Sequence, residues 1–266
     1  MGLIRKADRA CAGPHQVVTD LQTAGFGLAF SIEQLKAGET RRRTTEHETA
    51  WLMMQGELHV EAPDVQADFQ RSSLFDELPH TLHVSAGTEV TLTAHSPVQL
   101  CCFEVENAAA FAARLIGPEQ CRNERRGEGQ LKDASFRFVR TLIDDVQGPP
   151  EAQLVLGEVV NMPGRWSSYP PHHHNQPEIY HYRFTEPQGY GHAEEGEQVY
   201  KVHDGDTLLI EGGRDHSQCA APGYGMWYAW AIRHLPQERY AVPEFTEAHR
   251  WTMQPDAKSW WPSDED

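Results

Sequence analysis

The sequence predicts an all-β protein made of two antiparallel barrels of the jelly-roll type. Short segments rich in β-branched and aromatic residues recur along the chain, separated by Gly, Pro, Asp and Asn, which is typical of sandwiches and barrels. The 266 residues are enough for two small domains or one large all-β unit. One alanine-rich segment near the middle interrupts the series. We therefore expect two β-rich halves joined by a short helix.

The elements of the first half begin in residues 49–63 and continue in residues 81–106. Both segments alternate β-forming residues with turn residues, as in TAWLMMQGELHVEAP and TLHVSAGTEVTLTAHSPVQLCCFEVE. Residues 107–117, NAAAFAARLIG, predict a short helix. Asn107 is suited to its N-cap and Gly117 to its C-terminal end.

A polar, glycine-containing stretch, residues 118–133, follows this helix and predicts a linker. The second half then supplies further β-forming segments, which read FRFVRTLI, LVLGEVVNMPG, EIYHYRF, EQVYKV, DTLLIEGG and MWYAWAI. The predicted organisation is a first barrel over residues 1–117, the linker over 118–133 and a second barrel over 134–266.

Charge and cysteine content exclude several functional classes. The formal net charge of −16 repels phosphate backbones and disfavours nucleic-acid binding, and an anionic substrate would need local arginines. The five cysteines form no CxxC pair and are odd in number, which fits reduced thiols in the cytoplasm. No signal peptide and no apolar run of membrane-spanning length is visible. We expect a cytoplasmic protein that binds a small molecule, either as a monomer or as a homo-oligomer.

The histidines concentrate in the second half, where nine of the fifteen lie. His172 and His174 are two residues apart, so on a strand both side chains project from one face, roughly 6.5–7 Å apart. Glu178 has the same parity and follows a predicted turn, so a hairpin would return its carboxylate to the two imidazoles. His216 follows a further turn at Gly212-Gly213. Three imidazoles and one carboxylate suit Zn²⁺ foremost, or Mn²⁺, Fe²⁺ or Ni²⁺.

The same strand parity places the two other histidines of residues 169–184 on the opposite face of their strands. His173 and His181 should point away from the metal. The competing interpretation of the HHH run is a polar cluster that faces water, because an HxH arises easily in a chain with fifteen histidines. The conjunction of HxH, Glu178 and a downstream Gly-rich turn before His216 favours the metal site.

This conjunction resembles the signature of the cupins, which are small antiparallel barrels with HxH-x3-Glu on one hairpin and Gly-x5-Pro-x-Gly-x2-His on another. The second element corresponds to Gly205, Gly213 and His216, with Glu211 where the pattern has proline. The first half has no HxH, and no histidine follows Gly87 at the matching distance. The resemblance therefore implies a bicupin whose first barrel holds no metal.

A longer resemblance covers most of the chain. It is carried by RSSLFDELPHTLHV, RGEGQLKDASFRFVRTLI, GEVVNMPGRWSSYPPHHH, EIYHYRF and QVYKVHDGDTLLI, which are similar to the 5-deoxy-glucuronate isomerase family of inositol catabolism. The resemblance implies one divalent metal, held by His172, His174, Glu178 and His216. It also implies an aldose–ketose isomerisation of a deoxy-uronic acid, in which the metal acts as a Lewis acid.

Further site residues follow from parity and from this implied chemistry. The candidates for proton transfer are Tyr180, Tyr182 and Tyr228, and the candidates for substrate binding are Arg165, Arg183 and Trp230. Each tyrosine and Trp230 could equally belong to the barrel core, and each arginine to the surface. Arg183 has the outward parity on its strand.

The chain also departs from the family pattern beside the metal ligands. His173 stands where the family has lysine, Asn175 where it has aspartate, and Asp215 where it has tyrosine. Retained ligands with altered neighbours indicate a divergent member whose substrate has shifted. Two alternatives stay open: an Fe²⁺ dioxygenase and a non-catalytic sugar-binding cupin.

Overall fold

Antiparallel sheets carry nearly all the regular structure of the chain. The computed structural model describes residues 2–8 and 14–262. Within these ranges the strands are, in chain order, β1 (Leu3–Ile4), β2 (His15–Thr19), β3 (Leu28–Leu35), β4 (Thr40–Thr44), β5 (Glu48–Ala62), β6 (Val65–Arg71), β7 (Thr81–Val84), β8 (Glu89–Ala94), β9 (Val98–Val105), β10 (Arg114–Ile116), β11 (Arg122–Arg126), β12 (Arg137–Ile143), β13 (Leu154–Asn161), β14 (Trp166–His173), β15 (Glu178–Phe184), β16 (Tyr190–Glu195), β17 (Gln198–His203), β18 (Thr207–Ile210), β19 (His216–Ala220), β20 (Met226–Arg233) and β21 (Glu244–Phe245). Short 3-10 helices occupy Lys6–Asp8, Thr23–Gly25, Leu131–Asp133 and Glu247–Met253.

The first barrel is built around the 15-residue strand β5, which pairs with β7 and β9 at one end and with β6 and β8 at the other. The strand changes layer near Gly56, whose φ is +114° and where an added Cβ would overlap the Pro97 carbonyl. Apolar side chains from both layers fill the interior, including Trp51, Leu58 and Leu82.

The second barrel consists of two facing sheets. One has the order β1-β18-β15-β20-β13-β12-β11, and the other has the order β17-β16-β19-β14-β21. The core between them includes Tyr182 and Tyr228 from the first sheet and Ala193, Val202 and Ala220 from the second. The metal-ligand candidates lie in this barrel.

The seven-stranded sheet uses its two faces differently. Side chains alternate along β15, so Glu178 and Tyr180 face the barrel interior while Ile179 and His181 face the first barrel. The His181 ring packs 5.1 Å from the ring of Phe30. A continuous apolar cluster therefore joins the two halves of the chain.

A buried ion cluster crosses the same junction. The Glu158 carboxylate accepts hydrogen bonds from Arg71 Nη2 at 2.7 Å and from Arg140 Nη1 at 2.8 Å, and all three side chains are almost fully buried. Removing one member of such a cluster leaves an uncompensated charge in a place that water cannot reach.

We expect Glu158→Gln to lower the free energy of unfolding by about 3–5 kcal/mol, because two buried guanidinium groups lose their common anion. Glu247→Gln, which disrupts only the exposed pair with Arg250, should cost less than about 1 kcal/mol. Urea unfolding followed by tryptophan fluorescence measures both changes. Equal losses in the two variants would contradict the role assigned to the cluster.

The helix predicted over residues 107–117 is wrong. The segment has no helical turn, and Arg114–Ile116 is the edge strand β10, paired with β7. Tertiary contacts override the helical preference of the alanines. The Asn107 amide donates to the Glu48 carboxylate at 2.7 Å, and the Phe111 ring packs 4.8 Å from His83, so the chain is held extended across the barrel.

The segment 118–133, predicted as a linker, carries strand β11, which extends the seven-stranded sheet by pairing with β12. The division into 1–117, 118–133 and 134–266 stays a prediction. None of the helices among the described residues has the length and apolar content that a membrane crossing requires.

Candidate metal centre

Three candidate ligands meet inside the second barrel. His174 follows the end of β14, Glu178 opens β15 and His216 opens β19, and one ligand atom from each lies within 4.8 Å of the others. Glu178 Oε2 is 3.3 Å from His174 Nε2 and 3.4 Å from His216 Nε2. All three side chains are buried. His174 of the HxH and the distant His216 thus converge on one carboxylate.

His172 stands beside this triplet. It pairs in register with His216 across β14 and β19, and the two rings are 4.5 Å apart. Its Nδ1 donates to the Pro170 carbonyl at 3.2 Å, and Nδ1 of His216 donates to the Arg214 carbonyl at 3.0 Å. Because a carbonyl oxygen only accepts, both Nδ1 atoms carry a proton, and Nε2 is the nitrogen of each ring that is left to face the centre. Metal-binding histidines are oriented in this way.

The charge state of the centre also suits a cation. Burial alone would raise the pKa of Glu178, but hydrogen bonds from His174 and His216 lower it to about 2. Burial, followed by repulsion from His216, lowers the pKa of His172 to about 3. At neutral pH the carboxylate is therefore ionised and this imidazole is neutral, which are the forms that bind metal. The donor set fits a divalent first-row ion.

A cavity of about 840 Å³ opens over this centre. Its wall includes His172, His174 and Glu178, together with side chains from the inner face of the seven-stranded sheet. A C-terminal segment, residues 240–245, covers one side. The candidate ligands therefore lie where a small molecule could reach them.

Two of the three predicted tyrosines line this cavity. The Tyr228 hydroxyl is 2.6 Å from Ser167 Oγ, and the Tyr180 hydroxyl is 3.2 Å from Ser168 Oγ. Burial raises the pKa of both phenols, so each keeps its proton at neutral pH. Tyr182 lies deeper in the core and donates its hydroxyl proton to Gln218 at 2.7 Å.

Trp230 also lines the cavity. Its indole packs directly over Gly157, where any larger residue would overlap the ring. The two predicted arginines do not reach it. Arg183 alternates with Tyr182 and so faces away from the cavity, where it binds Asp204 of the same barrel at 2.8 Å and Gln99 of the first barrel at 3.0 Å. Arg165 lies in the turn before β14, at the opposite end of that strand from His172. Both arginine assignments are corrected.

The two histidines expected to face away do so. His173 Nδ1 is 2.7 Å from Asp215 Oδ1, and 35% of its side chain is exposed. His181 Nδ1 is 3.0 Å from Thr207 Oγ1 on the face toward the first barrel. The HHH run therefore places one histidine at the surface between two that point inward.

Sequence reasoning missed the arginines that do line the cavity. They come from β11 and β12, and are Arg122, Arg125, Arg126 and Arg137. The alternation of β12 was the available signal, because Arg137 is two residues from Val139 and both face inward. Tyr240, whose ring packs 4.9 Å from His174, was missed because it lies outside any strand.

Comparison with known proteins agrees with this geometry. The sequence profile of the KduI/IolB family matches residues 3–252. A curated relative, 5-deoxy-glucuronate isomerase from Geobacillus kaustophilus (strain HTA426), is 27% identical over 220 residues, which cover 76% of this chain and 77% of the relative.

Solved structures share the fold. An IolB-like protein from Salmonella typhimurium LT2 superposes with a TM-score of 0.82 at 24% identity, covering 95% of this chain and 99% of that one. An oxalate decarboxylase from Bacillus subtilis, described with Mn(II) centres, superposes with a TM-score of 0.67 at 11% identity, covering 96% and 81%. The predicted bicupin fold and the family resemblance are confirmed. With a profile match over nearly its whole length, the chain belongs to the KduI/IolB family.

Proposed function

We propose that this protein is a metal-dependent aldose–ketose isomerase that acts on a deoxy-uronic acid or a related sugar. The observation that carries the proposal is the buried set of His174, Glu178 and His216, with His172 beside it, at the wall of a cavity that also presents two protonated phenols. Relatives named 5-deoxy-glucuronate isomerase support the isomerase class.

The three histidines and Glu178 would hold one divalent ion. Such an ion, when bound, polarises a sugar carbonyl and stabilises the negative charge that develops on its oxygen. The Nδ1 bonds of His172 and His216 to backbone carbonyls orient the rings before any ion arrives. We keep Zn²⁺ foremost among the ions, with Mn²⁺, Fe²⁺ and Ni²⁺ as alternatives.

Isomerisation moves one proton between adjacent carbons and another between their oxygens. Tyr180 and Tyr228 are the proposed catalytic residues, because their protonated hydroxyls line the cavity and can donate to a sugar oxygen. Tyr182 is a positioning residue, since it lies in the core behind the cavity wall with its hydroxyl bound to Gln218. Trp230 offers an apolar wall for a sugar face. The cytoplasm is the proposed compartment.

The direct test of this proposal is incubation of metal-loaded protein with 5-deoxy-glucuronate and with related aldoses, followed by chromatography of the ketose. We expect metal-dependent conversion of at least one acidic sugar. Metal-loaded protein that converts none of them would overturn the proposal.

We expect Tyr228→Phe to lower kcat by about 100-fold with little change in KM, because the hydroxyl acts on charge that develops only during the reaction. Tyr200→Phe is the matched control, since that hydroxyl bonds Gln198 outside the cavity. Steady-state kinetics give both constants. A kcat for Tyr228→Phe within threefold of the control would contradict the assignment.

A further inference from the structure

Four arginines line the cavity, and they differ in how their charge is balanced. Arg122 pairs with Asp144 at 2.6 Å, Arg126 pairs with Glu124 at 2.7 Å, and Arg125 binds Glu128. These three side chains keep 37–54% of their surface exposed. Each is therefore a partly solvated cation with an anion already beside it.

Arg137 is different, because it is buried and has no carboxylate partner among the described residues. Only 9% of the residue is exposed. Its Nη1 donates to the Ser135 carbonyl at 2.8 Å, and its Nη2 makes a long bond of 3.4 Å to the Tyr169 carbonyl. Both partners are neutral. The ionisable groups that act on its charge are the phenols of Tyr228 and Tyr180, which are neutral at neutral pH, and the cation of Arg126.

A buried guanidinium without an anion is costly, since its charge has left water without compensation. Burial accordingly lowers the pKa of Arg137, and Arg126 adds to the effect. Arginine does not lose its proton at any physiological pH. The charge therefore persists in the cavity wall, where an anion from outside would balance it.

The position of Arg137 ties this charge to the metal centre. It lies on the inner face of β12, and the same cavity wall contains Glu178, Tyr180 and Tyr228. Its Nη2 contacts Tyr169, which precedes His172 by three residues on β14. A ligand in this cavity can thus reach the guanidinium and the ligand set together.

We propose that Arg137 binds the carboxylate of the substrate, so that the carbonyl end of the sugar is directed to the centre formed by His174, Glu178 and His216. This inference rests on the proposed function and names Arg137 as the residue that determines its specificity for acidic sugars. The planar fork of the guanidinium matches a carboxylate with two parallel hydrogen bonds. A cavity so equipped selects sugar acids over neutral sugars, in spite of the net charge of −16 on the whole chain.

The experiment measures binding of D-glucuronate and of D-glucose by calorimetry to the metal-loaded wild-type protein and to Arg137→Lys and Arg137→Met. We expect wild type to prefer glucuronate, and both variants to lose roughly 10- to 100-fold in affinity for it. Glucose binding should not change. Arg42→Lys, on an exposed strand of the first barrel, is the control. Thermal melting checks that each variant is folded.

Kinetics separate this inference from the proposed function. With 5-deoxy-glucuronate as substrate, Arg137→Lys should raise KM by roughly 10- to 100-fold and change kcat little. Wild-type turnover with an unchanged KM in Arg137→Lys would overturn the inference and leave the isomerase standing. Loss of glucuronate binding in the variants, with no turnover in wild type, would support the inference and overturn the isomerase. Equal affinity of the wild-type protein for glucuronate and glucose would overturn the role of Arg137 without any variant.

Discussion

His174→Ala should leave the purified protein without bound metal, whereas His173→Ala should retain it. His174 Nε2 lies 3.3 Å from the Glu178 carboxylate in the buried triplet, whereas His173 points to Asp215 at the surface. Removing one of the four proposed donors weakens the chelate by orders of magnitude, while an exposed ion pair contributes little. The two variants differ by one position in the same HHH run, so composition and chain context are matched.

The measurement is the metal-to-protein ratio after dialysis, read by inductively coupled plasma mass spectrometry. We expect about one ion per chain in wild type and His173→Ala, and almost none in His174→Ala. Metal retained by His174→Ala, or lost from His173→Ala, would show that strand parity has assigned the wrong histidine.

His216→Ala should reduce turnover to the uncatalysed background, and metal added back should restore chelator-treated wild type but not this variant. His216 contributes the only candidate ligand from β19, and its Nε2 is 3.4 Å from Glu178. Without it the ion loses both a donor and the geometry that orients a substrate carbonyl. Initial rates with 5-deoxy-glucuronate, before and after chelation, measure the effect.

The same variant separates the alternative functions. An Fe²⁺ dioxygenase would consume O₂ in the presence of substrate, and that uptake would also vanish in His216→Ala. A non-catalytic sugar-binding cupin would bind its sugar equally well in the variant and in wild type. Turnover retained by His216→Ala would contradict the metal-dependent mechanism.

Strand parity explains how much of the site could be predicted. The period of two places His172, His174 and Glu178 on one side, and the structure gathers His174 and Glu178 with His216. Parity also placed His173 and His181 correctly. These conclusions need only the alternation of side chains along a strand and a short turn, and both can be predicted from residues that are adjacent in the sequence.

The features that were missed depend on contacts between distant segments. The role of Arg137 can be recognised only when β12 is known to lie in the same sheet as the strands that carry Glu178 and Tyr228, with its side chain in the same cavity wall and no acid beside it. The helix predicted over 107–117 failed because Glu48 and His83, far back in the chain, hold that segment extended. Local propensity carries no information about such partners.

One ion held jointly by four side chains in the second barrel is the centre of the proposed mechanism, and anomalous diffraction from crystals of the metal-loaded protein tests this directly. We predict a single strong anomalous peak about 2.0–2.2 Å from Nε2 of His172, His174 and His216 and from a carboxylate oxygen of Glu178. A peak coordinated elsewhere in the chain, or one that His172 does not reach, would contradict the four-ligand centre.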